Sequence, residues 1–131
     1  MLNKMVLIID DGPVDMELTR IAVEELELGI RVDSATDGKS APAMLRNGID
    51  SPSLLLLDIK MPGMDGFELL REIRLDDRFR GLPVVVLTNS SLPSDRAEAI
   101  AAGASDFIQK PLSAHQFSKE LESVVHKWLP K

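Results

Sequence analysis

The segment LLLLDIKMPGMDGFELLREIR, residues 54–74, decides the fold class, because it passes directly from an apolar run to an amphipathic pattern. Its four leucines are apolar at every position, which is typical of a strand covered on both faces of a parallel sheet. A Pro-Gly pair then predicts a turn. Phe67, Leu70 and Ile73 follow at the spacing of one helix face. The segment therefore predicts one β/α unit, with Asp58 at the carboxyl end of its strand.

The same alternation of apolar runs and amphipathic stretches continues along the chain in both directions. Further strands are predicted at Met5–Ile9, Ile30–Ser34, Val84–Leu87 and Phe107–Ile108. The second of these alternates apolar and polar residues, which indicates a half-exposed edge strand. Alternating units of this kind, joined by right-handed crossovers, build a sheet with helices on both faces. We expect one α/β domain over residues 1–131 with a doubly wound sheet of five parallel strands. If the strand order is 2-1-3-4-5, the first and third strands are neighbours at the point where the order reverses.

Each predicted helix is expected to bury one stripe of side chains. Besides the stripe at Phe67, the expected stripes are Leu18, Ile21, Ala22 and Leu26; Ala97, Ile100 and Ala101; and Phe117, Leu121, Val124, Val125 and Trp128. Gly103 is expected to end the third of these four helices, and Ser113 with Gln116 to begin the last. A helix around Lys39–Arg46 has a weaker pattern, because Pro42 fits only a first turn.

Composition and charge exclude several classes of function. The formal net charge is −6 and no basic stripe interrupts it, so direct binding to nucleic acid is not expected. The chain has no Cys, which excludes disulfides and thiolate zinc sites. Its amino-terminal apolar run is too short for a membrane span and wrongly flanked for a signal peptide. We expect a cytoplasmic protein without membrane insertion.

Polar residues stand where the predicted strands end. Asp10 and Asp11 follow the first strand, Asp58 the third, Thr88 the fourth and Lys110 the fifth. In an open α/β sheet, ligands bind at this edge, near the point where the strand order reverses. Three carboxylates brought together repel each other, and Mg²⁺, which prefers oxygen ligands and a phosphate, relieves that repulsion. The set therefore predicts a magnesium site.

The lysine and the hydroxyl beside that site indicate a phosphoryl group as the second ligand. Lys110 can neutralise one phosphoryl oxygen, and Thr88 can donate a hydrogen bond to another. Phosphoryl transfer depends mainly on positioning and charge neutralisation. A carboxylate can be the nucleophile, and we expect Asp58 to be it, because it stands alone between the acidic pair and the Thr/Lys side.

Each of these residues also has an ordinary structural explanation. An acidic pair can cap a helix, Asp58 can belong to a turn, and Lys110 can be a solvated surface charge. Thr88 can be a strand-end hydroxyl bonded to backbone, and Phe107 a plain core residue. The conjunction at the ends of four predicted strands favours the phosphoryl site.

Together these motifs resemble the receiver domains of two-component signalling, in particular the chemotaxis-regulator type. The acidic pair, residues 54–74, PVVVLTNSS at 83–91 and GASDFIQKPL at 103–112 occur in that family's order over almost the whole chain. The resemblance implies the flavodoxin-like (βα)5 fold with the strand order 2-1-3-4-5. It also implies a signalling switch, not an enzyme in the usual sense. A sensor histidine kinase or a histidine phosphotransfer protein would phosphorylate Asp58. A downstream protein would then bind the fourth helix, fifth strand and fifth helix, about Asp95 to Trp128.

The resemblance also assigns the metal ligands. Asp11 and Asp58 would bind Mg²⁺ directly, Asp10 mainly through water, and Lys60 through its backbone carbonyl. No other cofactor is implied.

The same resemblance assigns the switch to Thr88, which would move towards the phosphoryl group while Phe107 packs inward. Asn89 is bulkier than the residue usual in the family, and the combination of Lys60 with Ser90 leaves the phosphoryl lifetime open. Gly12 stands where many members carry a polar residue.

Three other functions remain possible at this point. The chain can be a receiver-like docking domain that is never phosphorylated, although the acidic set and the Thr/Lys set are intact. A Mg²⁺-dependent phosphatase would carry Asp at position 60, where this chain has Lys60. A nucleotide or flavin module would need a glycine-rich phosphate loop, which the sequence lacks. The sequence fits either a stand-alone receiver or a domain of a longer regulator. It resembles the single-domain regulators that partner phytochrome-type or other sensor kinases.

Overall fold

A five-stranded parallel sheet forms the centre of the protein. The structure, a computed structural model, describes residues 4–10, 12–26, 29–35, 52–61, 64–89, 92–110 and 113–129. Its strands are β1 Met5–Ile9, β2 Arg31–Ala35, β3 Leu54–Asp58, β4 Val84–Thr88 and β5 Asp106–Gln109. They pair in parallel in the order β2-β1-β3-β4-β5. The predicted fold class and strand order are confirmed.

Helices cover both faces of this sheet. Those described are α1 Pro13–Glu24, α2 Gly66–Leu75, α3 Pro93–Ala102 and α4 Ala114–Trp128, with a 3-10 turn at Asp77–Phe79. Helices α1 and α4 pack together on one face, and α2 and α3 on the other. The predicted helix around residues 39–46 lies outside the described residues. None of the described helices is long and apolar enough to cross a membrane.

The sheet residues alternate between the two halves of the core. In β1, Val6 and Ile8 pack with α1 and α4, whereas Leu7 and Ile9 pack with α2 and α3. Strands β1, β3 and β4 are apolar at nearly every position because both of their faces are buried. Strand β2 has the mixed pattern of a sheet edge, with an exposed Arg31 at its start, as predicted.

Helix α1 buries only part of the stripe that its periodicity predicts. Ala22 is buried and Leu26 packs against the core as predicted, but Leu18 and Ile21 are 51% and 42% exposed. Thr19 and Val23, which lie outside the predicted stripe, are buried as well. Thr19 can be buried because its hydroxyl donates a hydrogen bond to the carbonyl oxygen of Asp15, at 3.0 Å. Its small, satisfied side chain lets the helix approach the sheet closely.

The prediction for α3 is wrong in the same way. Ala97, Ile100 and Ala101 are exposed, and the helix packs through Ala99 and Ala102 instead. A helix rich in alanine has apolar residues on several faces, so its neighbour, here α2, decides which face is buried. The predicted end at Gly103 is confirmed, with a φ of 110° that favours glycine.

The stripes of the other two helices are as predicted. Phe67, Leu70 and Ile73 of α2 are buried. In α4, Leu121 is fully buried with its two valine neighbours. The hydroxyl of Ser113 accepts a hydrogen bond from the backbone N–H of Gln116 at 3.3 Å, which begins α4 where predicted.

Candidate functional site

The carboxyl ends of three adjacent strands bring polar side chains together. Ile9 pairs with Leu57, so Asp10 and Asp58 occupy neighbouring positions at the ends of β1 and β3. Asp58 is also in register with Leu87, directly before Thr88 on β4. Asp10 and Thr88 are buried, and Asp58 is half-buried. Asp10, Asp58 and Thr88 thus lie at the same edge of the sheet, whereas Asp11, the third predicted carboxylate, lies outside the described residues.

Lys110 reaches across the sheet edge from the end of β5. Its backbone N–H donates a hydrogen bond to the carbonyl oxygen of Thr88 at 2.7 Å, which fixes the chain beside β4. Its ammonium Nζ lies 3.2 Å from Oδ2 of Asp10 and 3.5 Å from Oδ2 of Asp15. Only 11% of the Lys110 side chain is exposed, so it is not a solvated surface charge. It is an ammonium group held between the carboxylates of Asp10 and Asp15.

Asp10 is held on both of its carboxylate oxygens. Oδ1 accepts a hydrogen bond from the backbone N–H of Gly12 at 2.9 Å, while Oδ2 faces Lys110. The backbone N–H of Asp10 donates to the carbonyl oxygen of Ala35 at 3.1 Å, which fixes the end of β1 against β2. A buried carboxylate is tolerated only when it is paired and hydrogen-bonded in this way. Asp10 is thus a fixed negative charge beside Asp58, not a helix cap.

Gly66, which sequence reasoning missed, brings α2 against the backbone that follows Asp58. A Cβ atom at Gly66 would lie 2.4 Å from Cα and 2.9 Å from the carbonyl oxygen of Ile59. The Gly66 N–H donates to that same oxygen at 3.2 Å. Asp65 begins the helix by accepting from the N–H of Phe67 at 2.9 Å. The signal in the sequence is a glycine directly after an N-cap aspartate, just beyond the loop that follows Asp58.

The candidate switch residue Phe107 is buried in the β5 strand. It is 9% exposed, and the guanidinium of Arg96 on α3 lies 5.7 Å from its ring centroid. The backbone N–H of Phe107 donates to Oδ1 of Asp106 at 2.9 Å. Phe107 is thus a packed residue whose backbone and ring both have specific partners.

Asp106 ties the start of β5 to the end of α4. Its Oδ2 accepts a hydrogen bond from Nε1 of Trp128 at 3.2 Å and lies 3.6 Å from Nζ of Lys127. Partial burial alone would raise the pKa of Asp106, but the hydrogen bonds from Phe107 and Trp128 and the charge of Lys127 outweigh it. The pKa of Asp106 is therefore lowered.

The remaining predicted site residues are only partly described. Lys60 begins a two-residue strand that pairs with Met64–Asp65 in antiparallel fashion, so its backbone follows Asp58 closely. Asp11 and Ser90 lie outside the described residues. Within the described ranges, no three His, Cys, Asp or Glu side chains form a group that could hold a metal ion. The oxygen atoms of Asp10 and Asp58 are nevertheless of the kind that Mg²⁺ prefers, since this ion is usually held by one or two carboxylates.

A groove of about 320 Å³ lies between α1 and α4, and Lys110 of the candidate site is one of its lining residues. Its walls are mainly apolar, and Asp15, Asn89 and Lys110 stand among its lining residues. The rest of the lining is Leu18, Thr19, Ile21, Ala22, Glu25, Ala114, Phe117 and Ser118. The exposed side chains of Leu18 and Ile21, which α1 does not bury, thus border a groove that Lys110 also lines.

Comparisons with known proteins agree with this arrangement. The family described as response regulator receiver domain matches residues 6–122. The chain is 36% identical over 109 residues to the sensor histidine kinase CheAY of Helicobacter pylori. That match covers 83% of this chain but spans only 13% of CheAY.

Two solved structures are similar over nearly their whole length. The crystal structure of the phosphorylated cyanobacterial phytochrome response regulator RcpA has a TM-score of 0.91 at 28% identity, covering 98% of this chain and 96% of RcpA. The Mn²⁺-bound form of the response regulator Rcp1 has a TM-score of 0.88 at 26% identity, with the same coverage of both chains.

Proposed function

The chain belongs to the response-regulator receiver family, and we propose that it is a switch operated by phosphorylation of Asp58 in the presence of Mg²⁺. Receiver domains of two-component response regulators are regulatory and are not classical enzymes. The observation that carries the proposal is the Lys110 ammonium, largely buried and held 3.2 Å from Asp10 at the strand end next to Asp58. A cation fixed at this point is ready to neutralise a phosphoryl oxygen.

In the proposed reaction the carboxylate of Asp58 attacks the phosphorus atom of a phosphohistidine or a small phosphoramidate. The new bond joins an Asp58 oxygen to phosphorus, the nitrogen–phosphorus bond breaks, and the leaving nitrogen takes up a proton. Lys110 neutralises one phosphoryl oxygen, and the hydroxyl of Thr88 donates to another. Both act by position and charge, which is the main requirement of phosphoryl transfer.

The metal would be held by oxygen atoms on the β1 side of Asp58. Asp10 and Asp58 supply carboxylates at adjacent strand ends, and we propose that Asp11 and the backbone carbonyl of Lys60 complete the set. When bound, Mg²⁺ neutralises negative charge on the transferred group. Asp10 would then exchange its pairing with Lys110 for the metal, mainly through water.

We propose that the donor is a sensor histidine kinase or a histidine phosphotransfer protein that docks over the groove between α1 and α4. The support is that Lys110 and Asn89 line this groove, so the groove adjoins the candidate site. The exposed side chains of Val14, Leu18 and Ile21 on α1 add apolar area for docking. We propose that this phosphoryl transfer takes place in the cytoplasm.

The downstream protein would bind a surface made of α3, β5 and α4 between Asp95 and Trp128, which shares α4 with the groove. Phe107 lies within it and contacts Arg96, while Asp106 links it to Trp128. Movement of Thr88 at the end of β4 would reach this surface through β5, because Thr88 and Gln109 are paired in register. The output is then binding of a protein, not turnover of a substrate.

The experiment measures intact mass after incubation with acetyl phosphate or phosphoramidate, with and without Mg²⁺. The expected result is the gain of one phosphoryl group that requires Mg²⁺ and disappears in Asp58→Asn. The matched control is Asp33→Asn, because Asp33 is a half-exposed aspartate on the edge strand β2. Full labelling of Asp58→Asn would remove Asp58 from its role. Failure of the wild type to gain mass and to bind beryllofluoride would leave the docking domain that is never phosphorylated.

A further inference from the structure

We propose that Asp15 is a positioning residue that competes with the phosphoryl group for Lys110, an inference that rests on the proposed function. Asp15 Oδ2 lies 3.5 Å from Lys110 Nζ. Asp15 belongs to helix α1, whereas the candidate phosphoacceptor Asp58 ends strand β3. Lys110 is therefore held by two carboxylates, one at the end of β1 and one on α1. Only Asp10 belongs to the predicted metal set.

The position of Asp15 in the first turn of α1 explains why its carboxylate stays near Lys110. Gly12 is the N-cap of α1 and Pro13 follows it, so Asp15 is the third helical residue. A negative charge is stabilised there by the helix dipole and the unpaired N–H groups.

Because residue 12 is glycine, it places no side chain between the carboxylates of Asp10 and Asp15. A Cβ atom at Gly12 would lie 3.5 Å from Oδ1 of Asp10 and 3.6 Å from Cβ of Asp15. Glycine has no side chain, so no side chain at position 12 can take the place of Asp15.

The two carboxylates differ in what phosphorylation would do to them. Asp10 is buried and, in the proposed function, turns to Mg²⁺, which releases its hold on Lys110. Asp15 is half-exposed, with 50% of its side chain accessible, and is not a candidate ligand. Its attraction for Lys110 therefore persists when Asp58 is phosphorylated, and it opposes the movement of the ammonium group towards the phosphoryl oxygens.

The test is the affinity of the whole chain for beryllofluoride at saturating Mg²⁺, compared between wild type, Asp15→Asn and Glu17→Gln. A half-exposed ion pair of this kind corresponds to a change of roughly two- to fivefold in an equilibrium constant. We expect Asp15→Asn to bind beryllofluoride more tightly by that factor. Glu17→Gln removes the same charge from the same helix, but its carboxylate pairs with Arg20 and not with Lys110, so its affinity should match the wild type.

Two further readouts test whether the charge of Asp15, and not a change in folding, is responsible. Asp15→Glu keeps the charge on α1 and should restore an affinity close to the wild type. The advantage of Asp15→Asn should also shrink as ionic strength rises, because the pair is partly exposed to solvent.

The outcomes are distinct. Equal affinities of Asp15→Asn and Glu17→Gln, or weaker binding by Asp15→Asn, would overturn the role of Asp15 while leaving the switch intact. If the wild type bound no beryllofluoride and gained no phosphoryl group, the proposed function and the role of Asp15 would both fall.

Discussion

Replacing Gly66 by alanine should push α2 away from the backbone that follows Asp58. The added Cβ would lie 2.4 Å from Ile59 Cα, 2.9 Å from the Ile59 carbonyl oxygen and 3.0 Å from the Asp58 carbonyl oxygen. Carbon atoms normally rest about 3.5–4.0 Å apart. All three neighbours are backbone atoms, so no side chain can rotate away and the helix itself must shift.

The size of the effect follows from two opposing terms. Overpacking of a close-packed interior costs about 1–3 kcal/mol, whereas exchanging glycine for alanine in a helix gains at most about 1 kcal/mol. With a clash this short the cost should lie at its upper end, so the free energy of unfolding should fall by about 2 kcal/mol. For a domain of this size that corresponds to a decrease in Tm of roughly 6–10 °C.

The matched control is Gly81→Ala, since a Cβ at Gly81 has no atom within 4 Å. Urea unfolding of wild type, Gly66→Ala and Gly81→Ala should give similar m-values, with only Gly66→Ala shifted in its midpoint. Labelling by phosphoramidate should also slow in Gly66→Ala, because the displaced backbone carries Asp58. If Gly66→Ala and Gly81→Ala were equally stable, within about 0.5 kcal/mol, the close approach of α2 would be refuted.

Three further perturbations have defined outcomes. Asp106→Asn should lower stability by about 1 kcal/mol at neutral pH through weaker hydrogen bonds to Phe107 and Trp128. Because the folded-state pKa of Asp106 is lowered, this contribution is present above the unfolded pKa of about 4 and is lost as pH falls through the folded pKa. Unfolding followed by the fluorescence of the single Trp should therefore show the variant and the wild type converging in acid, and a constant difference at every pH would contradict the assignment. Arg74→Ala should lower the free energy of unfolding by about 2–3 kcal/mol, because the Arg74 guanidinium donates to the carbonyl oxygens of Gly103 at 2.9 Å and Phe79 at 2.8 Å. Arg74→Lys should recover only part of this stability, because an ammonium group cannot reproduce the planar fork of a guanidinium. Full recovery in denaturant melts would show that charge alone matters. Lys110→Ala should weaken the conformational response to phosphorylation, followed by amide chemical shifts, more than it weakens Mg²⁺ binding; equal loss of both would show that its assigned role is wrong.

The sequence was most informative where one residue type had one physical explanation. Leucine and valine runs such as Leu54–Leu57 can satisfy burial on both faces only inside a parallel sheet. Polar residues at their ends then mark the sheet edge at which ligands bind. This reasoning predicts Asp10, Asp58, Thr88 and Lys110 as site residues without any knowledge of contacts between them.

Periodicity failed where several helix faces were equally apolar. In α1, the larger residues Leu18 and Ile21 are exposed, while the smaller Thr19 and Ala22 are buried. In α3, the alanines differ in burial although they have identical side chains. Hydrophobicity could not distinguish these faces, because the closeness of approach to the sheet and to the neighbouring helix decided between them.

Local sequence patterns thus predict the strands and the candidate residues at their carboxyl ends, because these depend on burial and on general rules of chain connection. The strand order 2-1-3-4-5 is what the resemblance to receiver domains implies. Tertiary structure alone decided which carboxylates hold Lys110, which faces α1 and α3 bury, and why residue 66 is glycine. Asp15 and Lys110 are far apart in the chain. Likewise, α1 packs against α4 and α3 packs against α2, and the sequence pattern of each helix does not include its partner. Their contacts are set by the distances between packed elements, which no local pattern encodes.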